Sequence, residues 1–291
     1  MIMQPVSSPP NDRILGITRV VAALIIPFLV AAFVILYLLP DATDRLFAWT
    51  IMPQMSALLM GAGYASGIYF FSRVLRAPRW HWIGRAFLPL TVFVSFLELT
   101  TILHWERFHH GHIAFFAWTA IYTLTPIVLP ILWLRNRGAD PGTPDARDLI
   151  VPGALRALMA LVGAVELALA LYMFLLPASV VDLWPWMLTV PTARAIGGWF
   201  ALHGAVGLAL AGESRWSGMR IMLQTQMIAL ALILVAVVRA WSDFDTTNPL
   251  TWVFVIGTSC WLVVLAAVHI GLDVRRKTAH DLAAAGSQAS K

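Results

Sequence analysis

Glu166 and Arg194 stand inside long apolar runs of this 291-residue chain. An ionised group held in hydrocarbon costs several kcal/mol unless it is paired or hydrated, so each is a functional candidate by default. Glu166 lies about ten residues, roughly 15 Å, from one end of its run, and Arg194 about six residues, roughly 9 Å, from the same end of the next. A short connection makes the two runs antiparallel neighbours. They are therefore expected to form an ion pair or to face a common polar cavity, with Glu98 and His203 as the other members of an intramembrane polar site. The alternative has Glu166 protonated and hydrogen-bonded in the bundle while Arg194 snorkels to the interface.

A second constellation is "HWERFHHGH", residues 104–112, with His104, Glu106, His109, His110 and His112 between two apolar runs. If a helix ran on past His104, Glu106 would share a face with His109 and His110, at spacings of three and four. Imidazole and carboxylate in that arrangement could hold zinc or copper, or titrate as a proton sensor. The stretch has no recognised ligand spacing, however, and Gly111 marks a turn within it. The preferred reading is the polar tip of a hairpin.

His203 and His269 form a third constellation, on runs of the same direction and about one helical turn apart in depth. Two facing imidazoles could ligate a haem axially. Two four-helix units in tandem are also the architecture of the haem A synthase family, which binds haem through histidine pairs. The similarity stops at architecture, because the first half offers Tyr64 or Ala65, and Trp133, at the matching places.

The elements that position these residues are membrane helices. The chain is 59% hydrophobic and 12% charged, against about 25% charged in a soluble domain. Apolar stretches near 14–38, 50–72, 83–103, 112–134, 153–176, 188–211, 219–240 and 249–273 each reach the roughly 20 residues that a helix needs to cross a bilayer. They lack the short alternating segments of a barrel. The expected fold is thus an all-α integral membrane protein of eight transmembrane helices. Sixteen Arg and Lys fall on the side of the N-terminus and four, Arg45, Arg107, Arg194 and Arg239, on the other. Positive loops stay cytoplasmic, so both termini are expected in the cytoplasm of a multi-pass plasma-membrane protein. The formal charge of +5 follows from that topology, and no nucleic-acid partner is invoked. Trp49, Trp105, Trp184, Trp186 and Trp241, and at the other side Trp80, Trp82, Trp133 and Trp216, read as interface anchors.

The two halves echo each other. "YLLPDATDRLFAWTIMP" (37–53) lies over "FLLPASVVDLWPWMLTVP" (174–191), and Trp105 and Phe108 align with Trp241 and Phe244. This predicts two tandem four-helix units in parallel orientation: a tail 1–13, a first unit 14–138, a linker 139–152, a second unit 153–273 and a tail 274–291. Small residues at Ala57, Gly61 and Ala65, and at Gly197, Ala201, Ala205 and Ala209, let helix backbones approach closely, so the second and sixth helices are expected to be the central pair. Phosphate-loop, HExxH, CxxC and GxSxG motifs are absent. The functional reading is a small-solute or ion transport, sensing or scaffolding protein, not an enzyme and with no cofactor, working in the lipid bilayer alone, as a homo-oligomer or within a larger membrane complex. The alternative is a membrane redox enzyme holding haem or a metal through histidines.

Overall fold

The computed structural model describes residues 11–144 and 148–289, with side chains described as far as 278. Among these residues there are eight long helices and no strand. They are α1 (Gly16–Phe33), α2 (Gln54–Arg76), α3 (Phe87–Leu103), α4 (Ile113–Asn136), α5 (Gly153–Leu175), α6 (Val190–Ala211), α7 (Trp216–Arg239) and α8 (Pro249–Ala289). Helix is the element here because a chain in hydrocarbon must satisfy its backbone internally. Its hydroxyls do the same: Thr91, Ser95, Thr100, Thr101, Thr125, Thr225 and Ser259 each donate to the carbonyl four residues back.

Seven of the helices, all but α2, are long and apolar enough to cross a membrane, which makes the chain an all-α membrane protein in contact with lipid. Helix α2 is diluted by Gly and Ser, and the reason is its position: Met55 to Tyr64 are buried without a break, so this helix faces protein on every side. It packs against α1 and α7, while α6 packs against α5 and α3; α4 lies on α3, and α8 on α7. Helix α8 is the opposite case, with its apolar window 6% buried.

Close approach depends on glycine. A Cβ at Gly204 would stand 2.7 Å from the Gly163 carbonyl oxygen and 2.7 Å from the Leu167 nitrogen, so α5 and α6 meet backbone to backbone. A Cβ at Gly63 would enter the Trp199 ring at 2.3 Å, which brings α2 against α6.

Helix ends repeat one device, an arginine on the last carbonyls. Arg19 donates to the Leu75 and Ala77 oxygens at the end of α2, and Arg156 to the Ala211 oxygen at the end of α6. Arg239 donates to the Tyr37 oxygen beyond α1, and Arg194 to the Phe174 oxygen of α5. The carbonyls at a helix C-terminus have no intrahelical donor, and a cation there also meets the negative end of the helix dipole.

Some boundaries differ from the expected ones. Helix α2 begins at Gln54, not near residue 50, because Pro53 precedes it in an extended conformation (φ −74°, ψ −177°). Helix α7 begins at Trp216, earlier than 219, because Asp148 caps it by accepting the Ser217 N–H. Four of the expected interface anchors are core residues: Trp49, Trp80, Trp186 and Trp216 are at most 5% exposed. Trp186 donates to Ser56 Oγ and Trp216 to Asp273 Oδ1, both at 2.9 Å, which satisfies an indole that is otherwise costly to bury.

Candidate functional site in the central cavity

Six helices, α1 to α4 with α6 and α7, enclose a cavity of about 100 Å³. Aromatic residues supply much of its wall, through Phe28, Tyr64, Phe70, Phe93, Tyr122 and Trp199. Trp199 stands edge-on to Tyr64 at 5.2 Å and against Phe93 at 4.3 Å. No Asp, Glu, Lys or Arg lines the space.

The lining residues that carry polar groups are few, and some of those groups, packed out of reach of the space itself, are incompletely satisfied. The Tyr64 and Tyr122 hydroxyls share one hydrogen bond of 2.7 Å, so of their two protons one lies between them and the other has no acceptor. Trp199 Nε1 and Gln226 Oε1 are buried without a partner. His203 Nδ1 lies 2.8 Å from the Trp199 carbonyl oxygen. That oxygen only accepts, so Nδ1 carries the proton and Nε2 of the neutral ring is left as an acceptor. Tyr64, Tyr122 and Trp199 stand ten, nine and nine residues from the starts of α2, α4 and α6, and His203 thirteen from the start of α6. Gln226 stands thirteen from the end of α7. At 1.5 Å per residue, Tyr64, Tyr122 and Trp199 lie roughly 14 Å, and His203 and Gln226 roughly 20 Å, from the same end of the bundle.

The other expected site residues are dispersed. Arg194 and Glu166 make no ion pair. Arg194 is engaged by the Phe174 carbonyl at 3.0 Å, the Phe174 ring and His104 Nε2 at 2.7 Å, because the end of α5 requires a cap. Glu166 is half-buried on α5 with no hydrogen-bond partner among the described residues. Glu98 accepts from Thr123 through Oε1, and its Oε2 is buried and unpartnered.

Within 104–112 the helix does not continue. It ends at Leu103, and Trp105–Arg107 form a 3-10 turn. Burial, Arg194 and Arg107 hold His104 below the ordinary imidazole pKa, so that it accepts from Arg194. His109 bonds the Phe47 carbonyl and Thr50, His110 the Trp105 carbonyl, and His112 caps α4 by accepting the Ala114 N–H. Glu106 stays apart on the 3-10 turn. Among the described residues no group of three or more His, Cys, Asp or Glu could hold a metal ion. His203 and His269 also part company. His203 lines the cavity, whereas His269 bonds Gln224 at 3.0 Å and lies 3.9 Å from Asp273.

At the end of the bundle where Arg19 and Arg156 sit, a polar network was not anticipated at all. The Asp12 carboxylate accepts the His81 N–H and His81 Nδ1; the Asp148 carboxylate accepts the Ser217 N–H and Oγ. His81 Nε2 and Ser217 Oγ join the two halves at 2.9 Å. The chain Asp12–His81–Ser217–Asp148 thus ties together the segments that lead into α1, α3, α7 and α5. Beside it, Glu213 accepts four hydrogen bonds from Arg215 and Arg85, and Arg215 forks onto Asp140 at 2.7 and 2.9 Å.

No family model, curated protein or solved structure matches the chain, so the site is read from its geometry.

Proposed function

We propose that this chain is a duplicated, eight-helix protein of a plasma membrane, with both termini cytoplasmic, that binds a small solute in the central cavity as a transporter or sensor. The cytoplasmic placement rests on the sixteen-to-four division of Arg and Lys. Several pairs of features support the duplication. Leu39 and Leu176, ahead of the two prolines, have φ −124° with ψ 48° and 51°. His109 N–H bonds the Ala48 oxygen at 2.8 Å and Asp245 N–H the Pro185 oxygen at 2.9 Å. The rings of Trp49 and Phe108, and of Trp186 and Phe244, both stand 5.1 Å apart. The packing of α2 against α1 and α7, beside that of α6 against α5 and α3, has the same form. On this reading α2 is the eighth crossing, and its weak apolarity follows from its burial.

One observation carries the binding role: an apolar, aromatic-walled cavity of about 100 Å³ among six helices. A scaffold has no reason to keep one, since interiors pack with few voids. The test is organic extraction and mass spectrometry of purified wild-type protein beside Thr225→Phe, which puts a ring into the cavity. A solute present in the wild type and lost from a folded Thr225→Phe supports binding. Identical extracts without a specific solute would leave scaffolding. The haem or metal alternative draws on His203 alone within this cavity, and a Soret band or stoichiometric metal in the same preparation would put it in place of this proposal.

A further inference from the structure

We infer that α2 and α7, where they meet at the basic end of the bundle, hold the phosphate of one anionic membrane lipid between Arg73 and Arg220. This site is apart from the central cavity and does not depend on what fills it.

A chain of hydrogen bonds aligns three helices there. Tyr69 of α2 donates to Gln224 Oε1 of α7 at 2.5 Å, and Gln224 Nε2 lies 3.0 Å from His269 Nε2 of α8. Four residues nearer the basic end on the same helices, about one helical turn, stand Arg73, Arg220 and Asp273. These three therefore share one level. Arg220 Nη2 donates to Asp273 Oδ2 at 2.9 Å, and Trp216 Nε1 occupies Oδ1. The carboxylate at this level is thus already engaged, and Arg73 is left over.

Arg19, Arg85, Arg156, Arg194 and Arg220 are half-buried like Arg73, and each donates to a carbonyl or carboxylate oxygen. Arg73 makes no hydrogen bond or ion pair among the described residues. Its Nε edge is buried without a partner, so the Nη groups are the part of the guanidinium left open to a ligand. Arg76, on the next turn of α2, and Arg275, Arg276 and Lys277, beyond Asp273 on α8, are exposed and keep the surroundings positive. Arg73 lies three residues from the end of α2 and Arg220 four from the start of α7, roughly 5 Å inside the helix ends, at the level of lipid headgroups. A guanidinium fork matches a phosphate through two parallel N–H···O bonds, and basic pockets between membrane helices bind anionic headgroups. A zwitterionic lipid brings its own ammonium beside the phosphate and gains less from a positive site.

The test is native mass spectrometry and thermal unfolding of the full-length chain, delipidated in neutral detergent. It is titrated with dioleoylphosphatidylglycerol, dioleoylphosphatidylcholine or inorganic phosphate. The anionic lipid is expected to bind saturably at one tight site per chain, and the choline lipid at least about fivefold more weakly. Arg73→Gln should weaken binding of the anionic lipid about fivefold. Without lipid the variant should melt no lower than wild type, because Arg73 holds nothing within the chain. Arg135→Gln, at an exposed arginine near the end of α4, should leave the affinity unchanged. Equal affinity for the two lipids overturns the assignment, and that comparison needs no variant that folds. An equal loss in Arg73→Gln and Arg135→Gln also overturns it, leaving only the diffuse attraction of a basic surface. Saturable stabilisation by inorganic phosphate at the concentrations where the lipid acts, lost in Arg73→Gln, would make the ligand a free anion in place of a lipid.

Discussion

Glu213 offers the sharpest quantitative test of the packing described above. Its side chain is 1% exposed, as Arg215 is 2% exposed, and its two oxygens accept Arg215 N, Nε and Nη2 and Arg85 Nε at 2.6 to 2.9 Å. Burial alone would push this carboxyl up. The hydrogen bonds from Arg215, first of its side chain and then of its backbone, and then Arg85, outweigh burial and hold the pKa at about 2 instead of 4.5. At about 1.4 kcal/mol per tenfold change in proton affinity, this difference is worth roughly 3 kcal/mol to the folded state. A folded-state pKa below the unfolded one stabilises the protein at all pH values above the unfolded value. The stabilisation is lost as pH falls toward 2. Asp140, also lowered, with burial opposed by the Arg215 and Gly142 hydrogen bonds, adds loss of the same sign. Unfolding in mixed detergent–SDS micelles should therefore show wild-type stability with an acid limb declining below about pH 4, separate from the earlier loss that the lowered His104 gives as pH falls through the unfolded imidazole value of about 6.5. Glu213→Gln should cost about 3 kcal/mol at pH 7 and flatten the acid limb, because Arg215 remains buried with one carboxylate fewer. A loss under about 1 kcal/mol, or an acid limb unchanged in the variant, would refute the account.

Three further outcomes are expected. Gly204→Ala forces a Cβ to 2.7 Å from the Gly163 carbonyl and should cost about 1–3 kcal/mol, whereas Gly111→Ala, with nothing within 4 Å, should stay within about 0.5 kcal/mol; thermal denaturation of the two separates steric from generic glycine effects. A double-mutant cycle on Arg194→Met with His104→Ala should show coupling of about 0.5–3 kcal/mol, and one on Arg194→Met with Glu166→Gln coupling below about 0.5; coupling in the second would restore the ion pair. Asp12→Asn weakens the acceptor of the His81 N–H and Nδ1 and should destabilise by about 1–3 kcal/mol, read by the same SDS titration, while a neutral result would show that these bonds do not hold this end of the bundle.

The helices were legible because apolar run length is a direct physical requirement of the bilayer; α2 was read in the same way, as the run 50–72, although its helix falls short of the apolarity of the other seven. Helix ends were less legible where their determinants lie far off in sequence, as Asp148 does for α7. Arg194 was read by depth, so a carboxylate seemed its natural partner; its real partner is a backbone carbonyl, Phe174, twenty residues away. A signal existed in Leu-Leu-Pro after each run, since a proline cannot supply the N–H that the last turn of a helix lacks. Gln226 could likewise have been noticed as an amide amid an apolar run, beside His203, which was. A cavity is an absence of atoms and leaves no pattern of its own. In the network at the basic end, His81 and Ser217 each follow Arg-Trp, in "RWHWIGR" (79–85) and "RWSGMR" (215–220), but their carboxylate partners Asp12 and Asp148 lie 69 residues away in sequence, beyond the reach of any local pattern. The tryptophans misled because Trp serves both an interface and a core, and Trp80 and Trp216 begin helices whose ends are covered by loops.

The exchange of helices between halves has a consequence for how the molecule is made. Helix α2 is rich in glycine and serine and poor in the apolar area that holds a lone helix in lipid. When the first 138 residues have left the ribosome, α7 does not yet exist, and α2 waits in the bilayer with its least lipid-compatible side uncovered. Helix α3 waits similarly for α6. The half that is complete as a stretch of chain is thus incomplete as an object in the membrane, and its assembly ends only when the second half inserts two helices into places held open for them. Quality control in the cell would meet the first half as an unfinished protein, and a mutation at Gly63, which meets Trp199 of α6, would act by delaying the moment at which it is finished.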